Sequence, residues 1–573
     1  RNRGSMANYE RIMSLILLER FPAAPLAPQL QAYLSVPPTD TSQSFLFHEE
    51  FLWFDPDRPV ETPSLLTHVA AGTGTVFMRS GWPFGAADTD GSPTYLTFQA
   101  GDHFTYHQHY DQNSFTLYKR ADLLLDSGVY SGDGLSNHDV NYYVRTVAHN
   151  TLVVYNPAED LSAARPDAVS NDGGQRTMVP ASRSPQTIGY FDQHAVHYDT
   201  ADLLRVDDAA GYTYALGDAA KAYNTPAYNQ AMDTSLTGNV AKVSRFQREL
   251  LYLRPPPGGG ADFLVLLDRV GVTQPSFSGA NTKLLFHTLG EPAVNGSHQD
   301  VSPGETLYSG ADLATATSGP AKIFIKSLLP AGRNIRKVGG RGVKAFWVSD
   351  GNYDWHWDAG EPQPRPTNDF EDVPYGEWRL EVEPGNDALE HTFLHILYPA
   401  ESTTPSMPAT VVVTGSGLVG AHVADTGRNR LALFSSAADG SAPGGVLTYS
   451  FTPTSTTQHV IADLAPGARY SLAVSAAGAV QTVTLTPNAS GAYLVTAGGV
   501  LSFEHAGTGS LANGDVNGDG AVDVADVFYL INHLFAGGPL PIGPADVNAS
   551  GTVDVSDVFH LINFLFAGGP PPA

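Results

Sequence analysis

The sequence contains no cysteine, and this absence excludes disulfide bonds and any site that depends on a thiolate. Long apolar runs are also lacking. No stretch reaches the roughly 18 apolar residues that a bilayer-spanning helix needs, so we predict no transmembrane segment. The lack of cysteine does not fix the compartment, because exported proteins can do without it.

Positive charge is scarce as well. Lysine and arginine total 32 residues against 58 aspartates and glutamates, which gives a net charge of −26. This balance argues against a nucleic-acid-binding protein, which needs a basic surface. It also argues mildly against a polyanionic substrate, unless a local basic cleft reverses the field.

Glycine, proline and short apolar runs are abundant, by contrast. The chain has 57 glycines and 41 prolines. From about Thr75 onward, short β-branched or aromatic segments are bounded by turn residues, as in TVFMRSGW (75–82), DFLVLLDRV (262–270) and HTFLHILYP (391–399). The sequence therefore predicts a mainly β fold, with a large antiparallel β-sandwich over residues 61–400.

Other regions flank this predicted sandwich. Residues 1–60 contain the amphipathic segment MANYERIMSLILLERF (6–21), which predicts a helix, and a proline-rich exit. The composition of residues 400–408 indicates a linker. Residues 409–508 contain shorter alternating segments and predict a small accessory β-sandwich, to which we assign no activity. Residues 513–573 contain an internal repeat.

Each copy of the repeat begins with a twelve-residue loop of the EF-hand type. The loop has carboxylate and amide oxygens at the ligand positions, a glycine at the sharp turn and a backbone carbonyl at the seventh position. Such hard oxygen ligands suit Ca²⁺. The predicted ligands are Asp515, Asn517, Asp519, Ala521, Asp523 and Asp526 in the first loop and Asp546, Asn548, Ser550, Thr552, Asp554 and Asp557 in the second.

An apolar segment predicted to be helical follows each loop, and no helix precedes it. Loop then helix, twice, resembles a dockerin domain. This resemblance implies calcium binding, a possible cohesin-type protein partner, and a secreted or cell-surface location, where calcium is plentiful. The alternative is a calcium-stabilised cap that has no partner.

A histidine-rich stretch precedes these regions. His107, His109 and Asp111 alternate, which on a strand would place all three side chains on one face. Asp126 opens the sequence DSGVY, and His149 lies between two strand-like runs. Imidazole with carboxylate suits Zn²⁺ or a related ion. The alternative is that these are hydrogen-bonded structural histidines.

Here the sequence resembles the C-terminal domain of heparinase II/III-like polysaccharide lyases. The motifs are His-x-His-x-Asp before NSFTLY (113–118), then DSGVY (126–130) and AHNT (148–151), with further similar segments over roughly residues 1–400. The resemblance implies the last helix of a truncated α/α toroid, then a β-sandwich, and β-elimination at a uronic acid in an acidic polysaccharide.

The resemblance also implies roles for individual residues. His109, Asp126 and His149 match zinc ligands, and the zinc is expected to be structural. His107 and Tyr130 match residues of the substrate cleft and are the predicted catalytic pair. Arg145 could bind a uronate carboxylate, or could be a surface arginine paired with an acid. Separately, Asp111 is expected to orient a histidine.

One departure from the family pattern limits this prediction. Only the last helix of the toroid is recognised, so we expect the chain to be truncated upstream, without its signal peptide, and to carry part of the active site. A second hypothesis is a non-catalytic glycan-binding or scaffold protein. Glycoside hydrolysis is a third, but it requires two facing carboxyl groups, which the histidine-rich stretch does not favour.

Overall fold

A computed structural model of the chain places its elements in successive layers. Two predicted site residues, Tyr130 and Asp519, fall outside the part that is described. The structure describes residues 5–35, 52–82, 93–105, 107–129, 137–159, 170–175, 185, 187–223, 240–256, 259–349, 351–353, 375–425, 427–477, 479–505, 513–517, 521–541 and 543–572.

The α-helices described before the C-terminal tail are 4 to 16 residues long. The helix predicted over residues 6–21 is present and is followed by a second helix, packed on it through Leu15, Leu18 and Leu34. No helix in the described ranges is long and apolar enough to cross a membrane. The α-helices before the tail, among the described residues, are α1 Ser5–Arg20, α2 Ala27–Leu34, α3 Ile188–Gln193, α4 Ala195–Tyr198 and α5 Ala220–Tyr223.

Sheet one and sheet three together form one layer. Sheet one has the order β1-β2-β3-β4-β5 and sheet three has the order β13-β14-β17-β18-β11-β6, and both are antiparallel. The strands are β1 Thr67–Ala70, β2 Thr75–Arg79, β3 Tyr95–Gln99, β4 Ser114–Lys119, β5 Ala121–Leu124, β6 Leu152–Val154, β11 Thr282–Thr288, β13 His298–Ser302, β14 Glu305–Ser309, β17 Asn334–Gly339 and β18 Trp378–Glu383.

Sheet two is the central layer. Its order is β12-β15-β16-β19-β10-β9-β8-β7, and β10 is buried along its whole length because both faces of the sheet are covered. This explains why its sequence is almost continuously apolar. The strands are β7 Asp202–Ala209, β8 Tyr212–Asp218, β9 Val243–Leu253, β10 Phe263–Val272, β12 Ala293–Val294, β15 Leu313–Ser318, β16 Ala321–Leu329 and β19 Glu390–Glu401.

Sheet four covers the other face of sheet two. Its order is β27-β25-β26-β23-β20-β21-β22-β24-β28. Only β22 and β24 pair in parallel among its described neighbours. The strands are β20 Ala409–Gly415, β21 Leu418–Ala424, β22 Asn429–Ser435, β23 Leu447–Phe451, β24 Thr457–Ile461, β25 Arg469–Ala477, β26 Val480–Pro487, β27 Tyr493–Leu494 and β28 Leu501–His505.

Two apolar cores lie on opposite faces of sheet two. The inner core joins Leu250 and Leu266 to side chains of sheets one and three, such as Phe98 and Phe286. The outer core joins sheet two to sheet four, so that the regions on either side of the predicted linker share one core. The mainly β prediction is confirmed. The division of the chain into separate units stays a prediction.

Buried ion pairs lie back to back on the two faces of β9 and β10. Arg248 and Asp268 are directly opposite each other on the inner face, and neither side chain is exposed. On the outer face, Arg269 pairs with Glu249 of β9 and, at 2.9 Å, with Asp463 after β24. Arg269 therefore joins sheet two to the sheet-four region through charge as well as apolar contact.

We expect Arg269→Met to destabilise the protein strongly. The substitution leaves the buried carboxylate of Glu249 without its cation and Asp463 with only the more distant Arg205, at 3.7 Å. Breaking a buried pair in this way costs about 3–5 kcal/mol in free energy of unfolding. The matched control is Arg341→Met, because Arg341 is 64% exposed in its ion pair with Glu377 and such a pair contributes about 1 kcal/mol or less. Equal urea midpoints for the two variants would contradict the proposed role of the buried network.

Candidate functional site

The predicted arrangement of His107, His109 and Asp111 on one strand face is wrong. The chain between β3 and β4 is a loop that the side chain of Gln108 closes on itself. The Gln108 Oε1 accepts from the Phe104 amide (3.0 Å) and its Nε2 donates to the Asp102 carbonyl (2.8 Å). As a result His107 is exposed, whereas His109 is partly buried.

Asp126, His149 and His109 form a chain of polar contacts. The Nδ1 of His149 lies 3.0 Å from Asp126 Oδ1, and its Nε2 lies 3.2 Å from His109 Nδ1. The His149 side chain is fully buried, whereas 37% of the Asp126 side chain is exposed. The structure therefore brings the three predicted ligands together, although they lie 17 to 40 residues apart in sequence.

The pKa values of the two imidazoles are shifted in opposite directions. Burial lowers the pKa of His149, but the charge and hydrogen bond of Asp126 outweigh this effect and raise the pKa above its ordinary value. Desolvation, and then the neighbouring His149, lower the pKa of His109 to about 3. One nitrogen of His149 thus faces the carboxylate that raises its pKa, and the other faces the second imidazole.

The two imidazoles fit a metal ion better than the carboxylate does. Two nitrogen ligands of one tetrahedral Zn²⁺ are roughly 3.3 Å apart, close to the observed 3.2 Å. Asp126 instead contacts the other nitrogen of His149, which is the position of a group that orients a ligand. No three His, Asp or Glu side chains enclose a possible ion position in the described part of the chain. The zinc set stays a prediction.

Asp111 is a further acidic group near the two histidines. Its Oδ1 is buried and has no hydrogen-bond partner among the described residues. Burial raises the pKa of Asp111 to about 7, and the nearby His149 opposes this shift. The structure therefore leaves one buried carboxylate oxygen available beside the imidazoles, and its predicted role in orienting a histidine stays a prediction.

Arg145 is not placed where a substrate could reach it. Its side chain is 1% exposed, and its Nη2 donates to Asp172 Oδ1 at 2.6 Å. The second oxygen of Asp172 accepts from the Val147 amide (3.2 Å). Arg145 therefore pairs with an acid, as the alternative interpretation of this residue predicted. The pair lies in the interior, however, and not at the surface. This geometry corrects the predicted contact with a uronate carboxylate.

His138 is a site residue that no sequence pattern indicated. It is fully buried, its Nδ1 donates to the Tyr353 carbonyl (2.6 Å), and its Nε2 accepts from the Val129 amide (3.2 Å). It thereby fastens the turn that follows Asp126. Gly128 has φ +88° in this turn, and a Cβ there would lie 2.8 Å from His138 Nε2. The glycine of DSGVY is thus required both by the positive φ of the backbone and by the close approach of His138.

The C-terminal loops hold their acidic side chains with their own backbone amides. In the second loop, Asp557 Oδ1 accepts from Val547 and Asn548, while its Oδ2 accepts from Asp554. Asp546 accepts from the amides of Ser550 and Gly551. In the first loop, Asp526 repeats the pattern with Asn517 and Asp523.

A helix follows each loop, and the two helices pack together. Helices α6 Val524–Ala536 and α7 Val555–Ala567 each begin with a capping box and end at a left-handed glycine, Gly537 and Gly568. Their common core includes Val527, Leu530, Val558 and Leu561. Ile531 is partly buried, whereas Ile562 is exposed.

Two protein families match the sequence. The family described as heparinase II/III-like, C-terminal, matches residues 70–182, a range that includes His109, Asp126 and His149. The family described as dockerin type I domain matches residues 513–566. The chain carries a heparinase II/III-like C-terminal domain and a dockerin type I domain. No curated protein matches the chain.

Solved structures of a heparan sulfate lyase and of a heparinase III are among the similar structures. The heparan sulfate lyase HepC from Pedobacter heparinus is 13% identical with a TM-score of 0.42, and the match covers 75% of this chain and 48% of that chain. A heparinase III is 11% identical with a TM-score of 0.38, over 72% of this chain and 46% of that chain. The chain spans about half the length of these lyases.

We expect Gly128→Ala in the heparinase-like domain to lower stability through both strain and contact. A non-glycine residue at a positive φ costs about 1–3 kcal/mol, and the added Cβ also meets His138. The control is Gly342→Ala, where φ is +72° and no atom lies within 4 Å of the new Cβ. The measurement is thermal unfolding of both variants. Similar losses would show that the His138 contact contributes nothing.

We expect a calcium chelator to unfold the dockerin domain alone. Dockerin domains typically bind calcium, and the loop carboxylates repel one another when no cation offsets their charge. In calorimetry of the full chain, the chelator should abolish the transition of the two C-terminal helices. The transition of the sandwich is the internal control and should not move. A dockerin transition that is indifferent to both chelator and added Ca²⁺ would contradict the loop assignment.

Proposed function

We propose that this chain acts in eliminative cleavage of a uronic-acid-containing polysaccharide. The fold is that of a heparinase-like polysaccharide lyase. The proposal is carried by one observation, the contact of His109, Asp126 and His149 within the segment that matches the family. The polysaccharide itself, the lyase activity and any catalytic role of this chain are the proposal.

Elimination requires three actions at the substrate. A base removes the C5 proton, an acid protonates the departing glycosidic oxygen, and a positive or hydrogen-bonding group offsets the carboxylate charge. His107 is exposed on the loop that carries His109, so a polymer can reach it, and we assign it an acid–base role. Tyr130 is proposed as its partner by resemblance alone. Because Arg145 is buried, the charge must be offset by another group.

The proposed zinc would be held by His109 Nδ1 and His149 Nε2, and its contribution would be to cross-link their two segments. Asp126 orients His149 through its Nδ1. That Asp126 is also a zinc ligand is part of the proposal. Keeping the His109 loop fixed relative to the turn after Asp126 would also fix the position of His107 relative to that turn. This role is structural, as expected from the resemblance, because both nitrogen donors come from the sandwich.

The dockerin domain supports a proposal about setting and partner. We propose that it binds a cohesin-type protein and that the protein works in a secreted or cell-surface location. Dockerin domains bind cohesins, and both matched families are typically extracellular or cell-surface. The heparinase-like domain would then be brought to its polysaccharide by the assembly.

A second candidate function is glycan binding without catalysis. It is favoured by the burial of Arg145 against Asp172, because the cation that was expected to meet a uronate carboxylate is not accessible to a substrate. A substrate bound without that contact would be less well oriented, and orientation carries a large share of catalysis. In this case the chain would bind uronate glycans but not cleave them.

We expect the chain to cleave a uronate glycan slowly, with an ultraviolet absorbance increase from the new C4–C5 double bond. His107→Ala should lower kcat by about 100-fold or more, as expected for loss of an acid–base group, and should change KM less. His298→Ala is the control, because His298 is an exposed histidine on β13. Saturated products would indicate a hydrolase, and binding without cleavage would favour the second function.

A further inference from the structure

Arg248 has more hydrogen bonds than its ion pair requires. Its Nε and Nη2 donate to the two oxygens of Asp268, at 2.6 and 3.2 Å. Its Nη1 donates to two backbone carbonyls, those of Asn113 and Asn150, each at 2.7 Å. The side chain is completely buried in the inner core. One guanidinium thus holds a carboxylate with one edge and two loop carbonyls with the remaining nitrogen.

The two carbonyls belong to the segments that carry the two histidines. Asn113 closes the loop of His109, in a left-handed conformation with φ 58°, just before β4 begins. Asn150 directly follows His149. The Arg248 Nη1 therefore ties together, through a single atom, the backbone segments from which His109 and His149 project.

The side chain of Asn150 makes the third connection. Its Nδ2 donates to the Leu125 carbonyl (3.3 Å), one residue before Asp126, and to the Phe115 carbonyl (2.9 Å) of β4. Its Oδ1 accepts from the His287 amide (2.7 Å) of β11. Asn150 is fully buried, so solvent cannot replace these bonds.

We propose that Arg248 and Asn150 are positioning residues that set the spacing of His109, Asp126 and His149. Arg248 fixes the first and third segments, and Asn150 fixes the third and second. Neither side chain contacts the three groups directly, so both act through the backbone. The catalytic consequence rests on the proposed lyase function, whereas the spacing itself does not.

The competing explanation is that Arg248 only neutralises Asp268. A lysine at this position distinguishes the two explanations. It would supply the same charge but not the planar guanidinium that reaches a carboxylate and two carbonyls at once. Arg248→Lys therefore keeps the charge and removes the cross-link. The matched control is Arg254→Lys, because Arg254 is also buried on the chain after β9 and donates to Asp208 and to the carbonyls of Arg79 and Tyr212, away from the three groups.

The test combines crystal structures with kinetics on the full chain. In Arg248→Lys we expect the His109 Nδ1 to His149 Nε2 distance, 3.2 Å here, to change by about 1 Å, and kcat to fall by about 100-fold with KM little changed. Arg254→Lys should lose stability to a similar extent and keep kcat within about twofold. If Arg248→Lys does not fold, Arg248→Met with Asp268→Leu removes the pair as a unit and replaces it.

Three results would overturn the proposal. One is unchanged site distances in the variant that removes the cross-link, and another is equal losses of kcat in the Arg248 and Arg254 variants. The third is an Arg248→Met, Asp268→Leu variant with full activity. If the unsubstituted chain cleaves no glycan, the proposed lyase function fails, and the crystal distances still decide the positioning role.

Discussion

Both faces of sheet two are covered by other sheets, and this constraint determines which residues its central strands can contain. All of β10 is buried, so an ionised side chain on it loses its water and must find a partner inside the protein. Asp268 and Arg269 are adjacent on β10 and point to opposite faces. Each therefore has its own buried ion partner, one toward the inner core and one toward sheet four.

The inner pair also explains how irregular backbone is tolerated beside the core. The loops that carry His109 and His149 have little ladder pairing, yet their buried carbonyls and amides must be satisfied. Side chains, and not neighbouring strands, supply these hydrogen bonds. Gln112, Asn150, Thr151 and Arg248 all bond to backbone groups of these loops. The resulting network is rigid because most of its members are fully buried.

The fold could be predicted from the sequence where the signal was local. Short β-branched or aromatic runs predicted β2, β10 and β19, and turn residues bounded them. The alternation of His107 and His109 failed as a strand signal because it ignored Gln108, whose side chain closes a loop. Arg145 was misplaced since its partner, Asp172, lies 27 residues away. His138 carried no signal at all, because the hydrogen bonds described for it join it to backbone groups.

The two candidate metal sites also differ in how far a local sequence pattern predicts them. In the dockerin loops, the acidic side chains and the amides that orient them lie within twelve residues, so the spacing alone predicts the geometry. His109, Asp126 and His149 come from three segments whose separation is set by Arg248 on β9, about a hundred residues beyond His149. No local pattern encodes that separation. The same separation determines which nitrogen of His149 faces Asp126. That choice decides whether the carboxylate binds an ion itself or orients the imidazole that binds the ion.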